Sequence, residues 1–156
     1  MQDTCCSVPH RLSTLTAFIG GSFFLHLLWE SLQAPLYEGY SSFGQHFWIC
    51  LKATVTGDMF FMFVIYTTLA IVYRDLFWIA DRSSYIHPAT WVISILIGGL
   101  LAVSFEFWAV YVDHRWQYTD LMPIIPILQI GVTPILQMVF IPILMIFLSS
   151  RFVPRL

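Results

Sequence analysis

Residues 88–112 read PATWVISILIGGLLAVSFEFWAVYV, an unbroken apolar run whose only charge is Glu106. A hydrocarbon core about 30 Å thick is crossed by roughly 20 such residues in a helix. Three other stretches, 12–34, 48–73 and 124–148, have the same character. Their continuous Leu, Ile, Phe and Val runs lack the alternation of barrel strands, so the spans are helices. The predicted fold is therefore an all-α integral membrane protein, a four-transmembrane-helix bundle forming a single membrane domain over residues 1–156.

Composition agrees. Of the 156 residues 58% are hydrophobic, 17% aromatic and only 10% charged. A soluble domain carries about a quarter charged residues, so a soluble enzyme is excluded. The formal charge of −2 offers no basic surface for a phosphate backbone, and no nucleic-acid partner is expected. Cys5 and Cys6 are adjacent and Cys50 stands apart, which rules out a disulfide scaffold. The first span resembles a signal sequence in following Arg11. Its length, its Glu30 and the lack of a small-x-small cleavage site predict that it stays.

Positive charge sets the predicted orientation. Arg11, Arg74, Arg82, Arg151 and Arg155 fall on one side, while the other offers Arg115 and, just inside the second span, Lys52. Both termini are accordingly expected in the cytoplasm. The segment 75–81, DLFWIAD, is expected along the inner interface with Phe77 and Trp78 at headgroup level.

Polar residues inside the spans carry the functional information, because an ionisable group in hydrocarbon costs a few kcal/mol unless it meets a partner or a wet cavity. His26 and Glu30 lie four apart on the first helix, sharing a face with Ser22 and Gln33. Asp58 enters the second span roughly 15 Å deep, and Glu106 sits about 9 Å below the outer end of the third. Ala102 and Gly98 continue the face of Glu106 and allow a neighbour close approach. On the fourth span Gln129, Thr133 and Gln137 repeat every four residues as a polar stripe. Hydrogen-bonded glue explains that stripe as well as a site does. Three carboxylates and an imidazole are harder to assign to glue, since uncharged side chains serve that purpose at lower desolvation cost. His26, Glu30, Asp58, Glu106 and Gln129 are expected to converge on one cavity.

The outer loops, QAPLYEGY at 33–40 and DHRWQYTDLMP at 113–123, mix prolines, aromatics and charges. An aromatic belt accounts for Tyr37, Trp116 and Tyr118. Asp113, His114 and Asp120 are read as a lid, and Asp113, His114 and Tyr118 are candidate ligand contacts.

The patterns LWESLQAPLY, TGD at 56–58, a Glu late in the third span, WQYTDLMP and GVTPILQ resemble a family of small four-span bacterial membrane proteins of uncharacterised function. That resemblance implies a bacterial inner (plasma) membrane location. More distantly, His26-x-x-x-Glu30 and Glu106 followed by Asp113-His114-Arg115 are similar to the superfamily of emopamil-binding protein and the sigma-2 receptor. It implies a four-helix core around an apolar ligand such as a sterol, with carboxylates moving a proton across a double bond; the bacterial resemblance makes an isoprenoid or other lipid alkene the natural replacement for the sterol.

Double-bond migration needs one group to protonate a carbon and another to remove a proton. A carboxyl buried in hydrocarbon tends to keep its proton, which suits a general acid. Glu30 and Glu106 are the catalytic candidates, with His26 and Asp58 beside them. Trp29 or Trp108 would stabilise a carbocation by its ring face. Gln33, Gln129 and Thr133 complete the expected ligand contacts. No phosphate loop, nucleophile elbow or redox CxxC is present, and no cofactor or metal is expected. Membrane lipids and an apolar small molecule are the expected partners, and an oligomer is compatible with the sequence. A non-catalytic lipid-binding or assembly subunit stays open, as does a proton or metal-ion site. A relay path, however, finds little below Asp58 beyond Gln137 and Tyr66.

Overall fold

The computed structural model describes residues 8–153; Cys5, Cys6 and Arg155 lie outside them. Helix α1 covers Val8–Gln33 and ends in a 3-10 turn, Ala34–Leu36, where Pro35 cannot donate a backbone N–H. The second span is α2, Phe43–Ala53, a π-helical turn, Thr54–Asp58, and α3, Met59–Tyr73. A short helix α4, Arg82–Ile86, precedes α5, Pro88–Tyr111; α6 runs over Val132–Phe152. Among the described residues, four helices are thus long and apolar enough to cross a membrane. Large apolar side chains such as Phe24, Phe63, Leu100 and Phe140 stand more than half exposed around the outside, a surface suited to hydrocarbon rather than water.

Each helix buries one narrow stripe. On α5 Thr90, Ser94, Gly98, Ala102 and Glu106 recur every four residues, and on α1 Thr14, Phe18, Ser22 and His26 do the same. The small residues bring backbones together. A Cβ at Gly98 would lie 2.2 Å from the carbonyl oxygen of Met138 on α6. In the second span Cys50, Thr54, Asp58 and Met62 are buried in three successive steps of four. Such steps drift by about 120° on a straight α-helix, and the wider π turn takes up that drift. Asp58, the last residue of this turn, is buried on the inward stripe.

Two expectations need correction. The fourth helix begins at Val132, not at 124. Pro123 and Pro126 lack N–H groups and Gln129 has a φ of 51°, so Ile124–Ile125 pair antiparallel with Ile130–Gly131 in a small hairpin instead. At the other end of the chain's path, Trp78 of residues 75–81 does not stand free on the surface as a headgroup anchor would. Trp78 is 1% exposed and Ile79 fully buried in the apolar core beside Met145 and Ile146. The Trp78 indole donates to the Tyr66 carbonyl at 3.2 Å, and its ring lies against Tyr66 and Tyr73. The segment plugs the end of the bundle where α1 starts and α6 finishes. Left-handed Arg74, φ 54°, ends α3 and turns the chain under it, with the Asp75 N–H returning to Ala70 O at 3.1 Å.

Candidate functional site

At the opposite end the two loops zip together. Tyr37 and Tyr118 form an antiparallel bridge, the Glu38 N–H donates to Gln117 O at 3.0 Å, and the Thr119 N–H donates to Leu36 O at 3.0 Å. The Tyr37 ring packs on Trp116, edge to face at 5.8 Å, and on Tyr118 at 5.7 Å. Beneath this lid the Tyr118 hydroxyl donates to the buried Glu106 carboxylate. Burial, together with the charge of Glu106, raises the Tyr118 hydroxyl well above its usual range, so it remains a donor.

Deeper in, α1, the π turn and α6 meet through one amide. Gln137 Nε2 donates to Asp58 Oδ2 and to His26 Nδ1, each at 3.0 Å, and its Oε1 accepts from Gln33 Nε2 at 3.1 Å. His26 Nδ1 is 3.6 Å from Asp58 Oδ2. Gln33 Nε2 also donates to Glu30 Oε1 at 2.9 Å, and Gln33 Oε1 accepts from the Trp29 indole at 3.2 Å. His26 and Gln137 are at most 1% exposed. Glu30 is thus tied into this chain through Gln33, while Glu106 on α5 is held by Tyr118 from the lid. Of the residues expected to converge, His26, Glu30 and Asp58 therefore share one hydrogen-bonded network, and Glu106 is buried on α5 with Tyr118 as its partner.

Beside this network lies a cavity of about 230 Å³ lined by Trp29, Leu32, Gln33, Leu36 and Thr133, on the flank between α1 and the start of α6. Trp29 and Gln33 thus belong to both the cavity and the hydrogen-bond chain. Thr133 joins them, its hydroxyl donating to Met122 Sδ at 3.3 Å.

Other expected contacts fall elsewhere. Gln129 is exposed on the hairpin with its amide turned back to Pro126 O at 2.6 Å, because α6 has not yet begun there. Trp108 is turned to the surface, with the Arg115 guanidinium 4.7 Å over its ring. Asp113 is exposed and held by Arg115 at 2.6 Å, while His114, also exposed, sits at φ 48° with Nδ1 3.0 Å from Val110 O. None of these four reaches the polar interior. Gln137, in turn, is central to the network but is not among the residues that the sequence singles out for the site. Its signal was the spacing of four from Thr133 in an otherwise apolar helix, which could not reveal that three helices meet at its amide.

Among the described residues, no group of three or more His, Cys, Asp and Glu is placed to hold a metal ion, and no Lys or Arg pairs with Glu30, Asp58 or Glu106. What the arrangement offers is proton chemistry and hydrogen bonding inside the bundle, with a mostly apolar cavity alongside. No family model, curated protein or solved structure matches this chain.

Proposed function

We propose that this is a multi-pass protein of the bacterial inner membrane, both termini cytoplasmic, whose interior takes an apolar lipid or isoprenoid from the bilayer. There it moves a proton at buried carboxylates, as a double-bond isomerase does. The observation that carries this reading is the flank cavity, which opens against Trp29 and Gln33, the residues that lead into the buried network. At about 230 Å³ it is smaller than the ~300–1,000 Å³ of drug-sized pockets, so it accepts part of a chain whose remainder lies along the lipid-facing surface. Glu30, bonded to Gln33 at the cavity wall, is the group closest to such a ligand through its hydrogen bonds, and Glu106 supplies the second carboxyl. Trp29 gives a ring face for developing positive charge.

The test is a polyprenyl alkene incubated in deuterated water with the protein in lipid nanodiscs. Migration of the double bond adds a solvent deuteron at one carbon as a proton leaves another, and Glu30→Gln should abolish the incorporation. Incorporation that is absent in the wild type, or undiminished in the variant, refutes the isomerase reading.

One observation favours a non-catalytic subunit. All the N–H groups of the Gln33 and Gln137 amides are used within the protein, tying α1, the π turn and α6 together. A protein of that kind would bind the alkene without exchanging its protons and would tolerate Glu30→Gln.

A further inference from the structure

The hydrogen bonds around Gln137 have a direction, and that direction starts at an indole. Trp29 Nε1 can only donate, so Gln33 presents Oε1 to it and turns Nε2 toward Glu30 and Gln137. Gln137 must then accept with Oε1 and donate with Nε2, to Asp58 Oδ2 and His26 Nδ1. Reversing both amides would set Gln33 N–H against the Trp29 N–H and Gln137 Oε1 against the Asp58 carboxylate. A His26 that accepts at Nδ1 is neutral and carries its proton on Nε2. That nitrogen is buried in a residue with no exposure, and it has no hydrogen-bond partner among the described residues.

An unpaired buried N–H bears the full cost of its lost hydration, and most buried donors are satisfied. His26 does not itself line the flank cavity, but Trp29, three residues along α1, does, so an acceptor brought by a ligand that enters past Trp29 is the natural partner for the unpaired N–H. We propose that Trp29, Gln33 and Gln137 act as positioning residues that fix His26 in its Nε2–H tautomer, so that this N–H donates to an oxygen on the bound ligand. The ligand is then an apolar molecule carrying a carbonyl, ether or hydroxyl oxygen rather than a pure hydrocarbon. This inference rests on the reading that the interior receives an apolar ligand from the bilayer, and it specifies the chemistry of that ligand.

Solid-state NMR of the full chain in bilayers, with isotope-labelled histidine, reads both ring nitrogens of His26 directly. At neutral pH the Nδ1 signal should be that of a bare nitrogen and the Nε2 signal that of an N–H. The reverse pattern, or an imidazolium, overturns the directional chain. A long-chain methyl ketone and the alkane of equal length are then added as probes, with binding followed separately through Trp29 fluorescence. The ketone should shift His26 Nε2 and the ketone's own carbonyl infrared band, and the alkane should shift neither. If both probes bind but Nε2 does not respond, the donor role is lost while the lipid-binding reading stands. If neither binds, both fail. Trp29→Phe removes the indole donor alone, and it should broaden His26 into a mixture of tautomers; retention of one pure tautomer would show that Trp29 does not set the direction.

Discussion

Replacing Gly98 by alanine tests how closely α5 and α6 must meet for the polar interior to exist. The added Cβ would stand 2.2 Å from the Met138 carbonyl oxygen, 3.2 Å from its carbon and 3.5 Å from Ile65 Cδ1. Ordinary contacts begin near ~3.5 Å, so the overlap with backbone is roughly 1 Å and no side-chain rotation relieves it. The helices have to separate. Overpacking of that kind costs about 1–3 kcal/mol, against a gain of up to about 1 kcal/mol from alanine's better helix propensity. Gly99 is the internal control, since its added Cβ would meet only Val139 Cγ2 at 3.7 Å. Gly99→Ala should therefore be neutral or stabilising. The propensity gain is common to both variants, so their difference isolates the clash at about 1–3 kcal/mol in favour of Gly99→Ala. Reversible unfolding in mixed micelles, followed by tryptophan fluorescence, measures it. Equal stabilities would refute the argument that α5 rests on the α6 backbone at Gly98. Because Gln137 adjoins Met138, Gly98→Ala should also disturb the His26 ring signals, whereas Gly99→Ala should leave them in place.

Gln137→Leu keeps the volume but leaves Asp58 and His26 Nδ1 without their shared donor, and should cost about 2–5 kcal/mol in the same unfolding assay; a loss below about 0.5 kcal/mol would mean that another donor replaces the amide. Tyr118→Phe removes the hydroxyl that holds Glu106, and hydrogen exchange at the Glu38 and Thr119 amides should rise as the lid loosens; unchanged protection would make the lid independent of Glu106. In a cysteine-free background, a membrane-impermeant thiol reagent added to whole cells should label Ser42→Cys and spare Ser83→Cys, both exposed positions on opposite ends of the bundle. The opposite pattern reverses the orientation drawn from arginine placement.

Hydropathy by itself determined the number of helices and half of their limits, those near 34, 73, 88 and 112, because a span must be apolar along nearly its whole length whatever its neighbours are. The carboxylates and His26 were equally legible, since a charge within such a run stands out without knowledge of the fold. Tertiary structure decided matters that depend on partners. Trp78 looks like an interfacial anchor in sequence, yet the space beneath the bundle draws it into the core, where Tyr66 O accepts its N–H. The apolar residues after Pro123 suit a helix by composition, but two prolines and left-handed Gln129 let the backbone pair as a hairpin, which moves Gln129 out of the interior. Gln137 shows the same limit from the other side. A glutamine in an apolar helix announces only that it needs partners, and which helices supply them, and in which direction its amide points, follows from packing alone.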